Sequence, residues 1–332
     1  MYEARSIFVD VNPYRQSLQL WRDVLWGLRM KAIIDTDPGV DDAMAIFYAA
    51  SCPEIELIGL TSIYGNVPVE MGTRNALHLV EMLGRPIPVA QGLPKPLCGR
   101  HWEPVHWIHG EQGFGALPAP APKGRAVDSP AVDFLIDQAR RHKGELVVFP
   151  IGPLTNIAAA IERDPDFAKN VARIVIMGGV VHARGNVTPF AEANIYNDPD
   201  AAQIVLNSGA ETLLVGLDVT DRTSVTKENF AALARRAPKF GGFLAAISDF
   251  YIDVYLGRGA KGCSLHDPAT VIAALRPELF RMEEGDVEVG LDGEKLGQTV
   301  LKPRTGQKTR VCVAADYDRV VDVFLDGIAT LG

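Results

Sequence analysis

The residues with the clearest chemical potential form the run Ile33-Ile34-Asp35-Thr36-Asp37-Pro38-Gly39-Val40-Asp41-Asp42-Ala43, which puts four carboxylates within eight positions. An apolar, β-branched stretch precedes the run, and a helical pattern follows it. Pro38 and Gly39 shape the tight turn between the two. Helix capping explains part of this acidity, with Asp37 as N-cap and Asp41 and Asp42 meeting the positive end of the helix dipole. Four carboxylates repel one another, however, and capping leaves that repulsion without a counterweight. A hard divalent cation supplies one, since calcium takes roughly 6 to 8 oxygen ligands, largely carboxylates and carbonyls. The pattern therefore points to a metal site.

Other acidic motifs fit less well. A calcium EF-hand loop starting at Asp35 needs Gly at its sixth position and Glu at its twelfth, where this chain has Val40 and Ile46. Asp35-Thr36-Asp37-Pro38 begins like the DxDx[TV] run of haloacid-dehalogenase-type phosphotransferases, but Gly39 occupies the fifth position. There is no GxGxxG or Walker P-loop, which removes dinucleotides and P-loop nucleotides as leading ligands.

The elements that must position these residues are legible as an alternation. Apolar, β-branched runs at 31–36, 56–64, 87–90, 146–150, 174–177 and 212–216 read as strands. Helical periodicity appears at 41–50, 69–83, 132–141, 154–163 and 200–208. Alternating βα units with fully apolar strands imply an open, mostly parallel sheet with helices on both faces. Two long irregular stretches, 92–130 and 178–198, interrupt the rhythm, and such loops tend to carry function. Neither has linker composition, so residues 31–332 read as one α/β domain. Tyr251 and Tyr255 lie four apart on a further helical stretch and share a face, suited to core packing or to stacking on a ring.

Residues 1–30 stand apart as an N-terminal extension. Asp10, Arg15, Arg22 and Asp23 break every apolar stretch, which argues against a signal peptide. Leu18, Trp21, Val24, Leu25 and Leu28 fall at helical spacing and predict an amphipathic helix. A start at Met30, directly before the first strand, is the other expectation. Within the 332 residues, 47% are apolar, enough for a large core, and the formal net charge is −8. That sign argues against a nucleic-acid or anionic membrane partner but not against a small neutral substrate. No apolar run approaches the roughly 18 to 20 residues that span a bilayer. Four scattered cysteines without a CxxC pair fit a reducing, cytoplasmic setting.

Taken whole, the acidic run resembles the DTDPGxDDA signature of the inosine-uridine nucleoside hydrolase family. Further segments similar to that family follow in order: Tyr64-Gly65-Asn66, His109-Gly110-Glu111 with Gly113 and Gly115, Gly152-Pro153-Leu154-Thr155-Asn156, Met177-Gly178-Gly179, Glu192-Ala193-Asn194 and His266-Asp267-Pro268. The resemblance spans residues 31 to 330 and leaves only the N-terminal arm outside. It implies a nucleoside hydrolase fold with a Rossmann-like core, a Ca2+ cofactor and a homotetramer or homodimer. It also implies that Asp37, Asp42, Asp267 and the backbone carbonyl of Ile151 hold the calcium. Relatives often have Thr at the position of Ile151, a departure of little weight when the carbonyl is the ligand. Asp37 is the implied base for the attacking, calcium-bound water. Asp41, Asn186, Glu192, Asn194 and Asn66 are implied to bind ribose. His266 would protonate the departing base, and His109 would lie against it.

The chemistry asks for such residues. An N-glycosidic bond breaks through a positively charged, oxocarbenium-like ribose. Water must be activated, the sugar held through its hydroxyls, and the base kept from leaving as a bare anion. Attack by water predicts inversion with no covalent intermediate. The remaining histidines, His78, His101, His106, His142 and His182, have no motif behind them and read as structural or solvated. Asn186, Glu192 and Asn194 could simply make turns, but the spacing Glu192-x-Asn194 after Met177-Gly178-Gly179 favours sugar binding. Two rival functions stay open: a magnesium-preferring phosphatase built on Asp35 and Asp37, and a nucleoside-binding module without turnover. Purine or pyrimidine preference is not decided by the sequence.

Overall fold

The β-branched pair Ile33-Ile34 lies at the centre of a strand that Pro38 and Gly39 then stop, and the rest of the molecule is arranged around it. In the computed structural model, residues 29–303, 306 and 309–332 are described. The N-terminal arm and its expected helix lie outside them, apart from the last two residues.

The strands are β1 (Met30–Thr36), β2 (Ile55–Ser62), β3 (Val89–Ala90), β4 (Leu146–Pro150), β5 (Arg173–Met177), β6 (Thr212–Val215), β7 (Ser224–Val225), β8 (Cys263–Ser264), β9 (Phe280–Val289), β10 (Thr299–Lys302) and β11 (Thr309–Ala315). Nine of them form one sheet in the order β10-β9-β11-β6-β5-β4-β1-β2-β3. From β3 to β11 neighbours run parallel, and β9 and β10 add antiparallel pairings at one edge. β7 and β8 make a separate antiparallel pair.

Both faces of the sheet are covered, and the period-2 geometry of a strand shows why the runs are apolar throughout. Ala32 and Ile34 enter one core cluster with residues of the helices Val40–Ser51, Phe240–Gly257, His266–Leu275 and Tyr317–Ala329. Ile33 enters the other, with residues of the helices Ala131–Arg141, Thr155–Arg163 and Pro199–Leu206. The expectation of a mostly parallel sheet with helices on both faces is met.

The differences from the sequence reading are local. The third strand shrinks from 87–90 to Val89–Ala90, because Pro88 cannot donate and serves instead as acceptor for the Leu60 amide. The second strand ends at Ser62, where the chain turns toward Gly65. The antiparallel edge was not expected. In β9, buried Val287 and Val289 alternate with exposed Glu288, so the strand lacks the continuous apolar run of the parallel ones.

β1 is the position that matters for function. It pairs with β2 on one side and β4 on the other, so successive connections leave it in opposite directions. Ligands in open α/β sheets bind beyond the carboxyl ends of the strands at such a switch point. The acidic run follows β1, and Ile151 follows β4.

Candidate active site

The Val40–Ser51 helix begins where β1 ends, and its N-cap is Gly39 rather than Asp37. The capping is done from inside the helix: Asp42 Oδ2 accepts the Gly39 amide at 2.9 Å. The same oxygen accepts Asn66 Nδ2 at 3.0 Å, and Asp42 Oδ1 accepts the Thr36 hydroxyl and the Asp37 amide. Four donors thus fix one fully buried carboxylate.

Asp37 is held differently. Its Oδ2 accepts the Asn66 amide at 2.6 Å, while its buried Oδ1 has no hydrogen-bond partner. Two glycines make room for it. A Cβ at position 65 would overlap Asp37 Oδ2, and one at position 152 would come within 2.6 Å of Oδ1. Asp41 also leaves a buried oxygen unpartnered.

One carboxylate oxygen each from Asp41, Asp42 and Asp267 lie within 4.8 Å of one another, although Asp267 is 225 positions from Asp42 in the chain. Burial raises the pKa of all four: Asp37 and Asp267 rise well above the usual carboxylate range and Asp41 to about 8. For Asp37 the next cause is the charge on Asp42, and for Asp267 the charges on Asp41, Asp42 and Asp37. The Tyr251 hydroxyl partly offsets this at Asp41. Crowded, desolvated carboxylates with orphaned oxygens form a hard-oxygen set suited to a divalent cation. The residues present fit the metal that the resemblance implies.

The grouping differs from the sequence reading in two respects: Asp41, assigned there to ribose, belongs to the set that converges with Asp42 and Asp267, and Asp37, expected as a ligand, lies outside that set. The fourth carboxylate of the run, Asp35, is turned elsewhere. It is fully buried, accepts the Thr61 hydroxyl and Asn156 Nδ2, and rises to about 7 through burial.

Glu192 is near enough to Asp267 for its charge to raise that carboxyl's pKa, and Asn194 reaches Ile151. Glu192 caps the Ala193–Asn197 helix, accepting the amides of Asn194, Ile195 and Gly179. Its pKa still rises to about 7, because burial outweighs those three bonds. Asn194 Nδ2 donates to the Ile151 carbonyl at 3.0 Å, leaving that oxygen a second lone pair. Asn186 is exposed at the rim, where its Oδ1 accepts the Ala193 amide. The structure does not bring it into the buried cluster.

The base-side candidates come from three separate elements. His109 ends the short His106–His109 helix and is 6% exposed, and its Nδ1 accepts the Val40 amide at 3.2 Å. That acceptor role places the proton of the neutral ring on Nε2. Burial first, then His266, lowers its pKa to about 3. His266 opens the His266–Leu275 helix, with Thr220 Oγ1 at 2.8 Å from Nδ1 and the Tyr255 hydroxyl at 2.8 Å from Nε2. Burial lowers it to about 4. Tyr251 and Tyr255 project from the Phe240–Gly257 helix, with hydroxyls 3.3 Å apart, and the Tyr251 ring lies 5.2 Å from His109. Tyr255 and Thr220 escaped the sequence reading as partners of His266. Only the i, i+4 spacing of the tyrosines hinted at the first.

The family described as inosine-uridine preferring nucleoside hydrolase matches residues 32–322. A relative from Arabidopsis thaliana, described as probable uridine nucleosidase 2, is 46% identical over 278 residues, 83% of this chain and 86% of its own. An inosine-uridine preferring nucleoside hydrolase from Leishmania major is 36% identical, covering 91% of this chain and 98% of its own. Among solved structures, a purine-preferring ribonucleoside hydrolase from Gardnerella vaginalis superposes with a TM-score of 0.87 at 39% identity, over 91% of this chain and 98% of that one. A match from β1 into the last helix, at these identities, settles the classification: the chain belongs to the inosine-uridine preferring nucleoside hydrolase family and is a hydrolase of ribonucleosides.

Proposed function

We propose that the chain cleaves the N-glycosidic bond of ribonucleosides by direct attack of water, with Asp37 as general base and calcium as the resident metal. The observation that carries this reading is the state of Asp37: one oxygen is tied to the Asn66 amide, the other is buried and unpartnered, and the charges of Asp42 and Asp41 act on the group. Asp37, Asp42, Asp267 and the Ile151 carbonyl would hold the ion, with Asp41 near enough to share in it. When bound, calcium supplies positive charge that keeps these carboxylates ionised and acidifies water beside them.

The chain's own groups do the rest. Asp37 takes the proton of the attacking water at Oδ1, since Oδ2 is already committed. Asp41, Glu192, Asn194 and Asn66 grip the ribose hydroxyls and fix the anomeric carbon near the water. Asn186 reaches the sugar only from the rim. On the opposite side, His266 and Tyr255 share a hydrogen bond at Nε2, from which the departing base can be protonated. His109 lies against the base with its Nε2–H free to donate. The carboxylates lining the cleft disfavour substrates that carry a phosphate. Four unpaired thiols suit a reducing, cytoplasmic setting.

The phosphatase rival would need Asp35 as its nucleophile; Thr61 and Asn156 both hold its Oδ1, and its unpartnered Oδ2 is fully buried. The test is incubation with inosine, uridine and phenyl phosphate, with and without a calcium chelator. Free base and ribose, lost on chelation and restored by calcium, are expected. Released phosphate, or tight nucleoside binding without products, would overturn the reading.

A further inference from the structure

The base candidate is gripped through a single peptide unit. The Gly65 carbonyl and the Asn66 amide are the two ends of one planar group. The amide end donates to Asp37 Oδ2 at 2.6 Å. The carbonyl end accepts the indole Nε1–H of Trp102 at 3.1 Å. Position 65 must be glycine, because a Cβ would overlap Asp37. Glycine, though, is also the residue whose flanking peptides rotate most freely. If this plane turned over, a carbonyl oxygen would face a buried carboxylate.

We propose that Trp102 is a positioning residue that locks this plane and so keeps the Asn66 amide on Asp37. The proposal deepens the hydrolase reading above and rests on Asp37 as its base.

Independent contacts hold the tryptophan where it can do this. Its ring meets Tyr64 edge-on at 4.8 Å, and Tyr64 is fully buried. The Tyr64 hydroxyl is 3.1 Å from Thr155 Oγ1, which donates to Asp198 at 2.7 Å. Asp198 in turn accepts the Leu97 amide, at the start of the segment that carries Trp102. At the far end of that segment the Val105 amide donates to the Asn66 carbonyl at 3.1 Å. Both peptides flanking Asn66 are therefore pinned by residues 97–105. Asn66 passes the restraint on to Asp42 through its side chain. The chain of bonds is polarised in one direction, from indole N–H through the peptide to the carboxylate, and each bond strengthens the next.

The experiment must remove one proton and leave the ring. Replacing Trp102 alone with β-(3-benzothienyl)alanine, in which sulfur stands in for N–H, does so; Trp102→Phe is the simpler companion. Two readouts are taken on full-length protein. The first is hydrogen exchange at the Asn66 amide in the metal-free protein, which needs no turnover. The second is kcat and KM for uridine or inosine with calcium saturating. The expected result is about a tenfold faster Asn66 exchange and about a tenfold lower kcat, with KM changed less than about twofold and an unaltered melting temperature. A merely structural role would lower the melting temperature and spread the loss over both constants. Unchanged Asn66 exchange in the benzothienyl protein would overturn the proposal whatever the kinetics. If exchange quickens but wild-type protein cleaves no nucleoside, the clamp stands and the assignment of Asp37 as base falls.

Discussion

The two sides of the cleft are built in opposite ways. The proposed water-activating side comes mostly from one strand-turn-helix passage: Asp37, Asp41 and Asp42 sit within six positions, and Asp267 and the Ile151 carbonyl arrive from afar. The leaving-group side has no such nucleus. His109, Thr220, Tyr255 and His266 come from four elements that meet only when the helices pack. The first side is specified by backbone geometry and repels itself, so it needs a counter-charge. The second is uncharged, held by neutral hydrogen bonds, and its histidines are kept neutral by burial. The proposed acid and base functions are thus separated by environment.

That contrast predicts unequal sensitivity to mutation. Asp37→Ala removes the base and a proposed metal ligand together, and should lower kcat/KM by at least ~10²-fold on every nucleoside. Steady-state rates on inosine, uridine and 4-nitrophenyl riboside check this. A loss confined to one base class would break the comparison, because water activation does not depend on what leaves.

His266→Ala should behave in the opposite manner. It should slow inosine by at least ~10²-fold and leave 4-nitrophenyl riboside within about threefold, since a good leaving group needs no proton. Equal losses on both substrates would remove His266 from the acid role. Tyr255→Phe should cost less, about threefold to tenfold on inosine alone, as expected for one hydrogen bond to His266.

The smallest effect concerns stability. Asp41, Asp35 and Glu192 have folded pKa values raised to about 8, 7 and 7, so the folded protein binds protons that the unfolded chain has already released. Their stabilisation is present at low pH and is lost as pH rises through those values. His109 and His266 act in the other sense: lowered to about 3 and 4, they contribute fully above the ordinary histidine value near 6.5 and lose that contribution as pH falls. Between pH 6.5 and 8 these carboxylates titrate in the folded protein while His109 and His266 stay neutral. The melting temperature of metal-free protein should therefore fall across that window, and calcium should raise it most at pH 8. Calorimetry with chelator and with calcium tests both signs; a flat metal-free profile would contradict the crowding of charge described here.

Legibility in the sequence followed the same division. The parallel sheet was readable because strands buried on both faces show uninterrupted apolar runs. Asp37 and Asp42 could be singled out because a Pro-Gly turn between strand and helix puts nearby carboxylates in one place whatever the rest of the chain does. Glu192 and Asn194 carried a local signal too, being cap and first turn of one short helix. The antiparallel edge of β9 and β10 was missed, because a half-exposed strand with charged residues imitates a loop. Trp102 and Thr220 were also missed, since their roles depend on partners 37 and 46 positions away.

The order of residues alone fixed the α/β alternation and the acidic turn, because these depend on backbone rules and on charges that chain connectivity cannot separate. Tertiary packing decided which of the four aspartates faces the cleft, how the Gly65–Asn66 peptide is held, and which hydroxyls meet His266. Those outcomes depend on distances between elements, and desolvation sets their strength, so no local pattern encodes them.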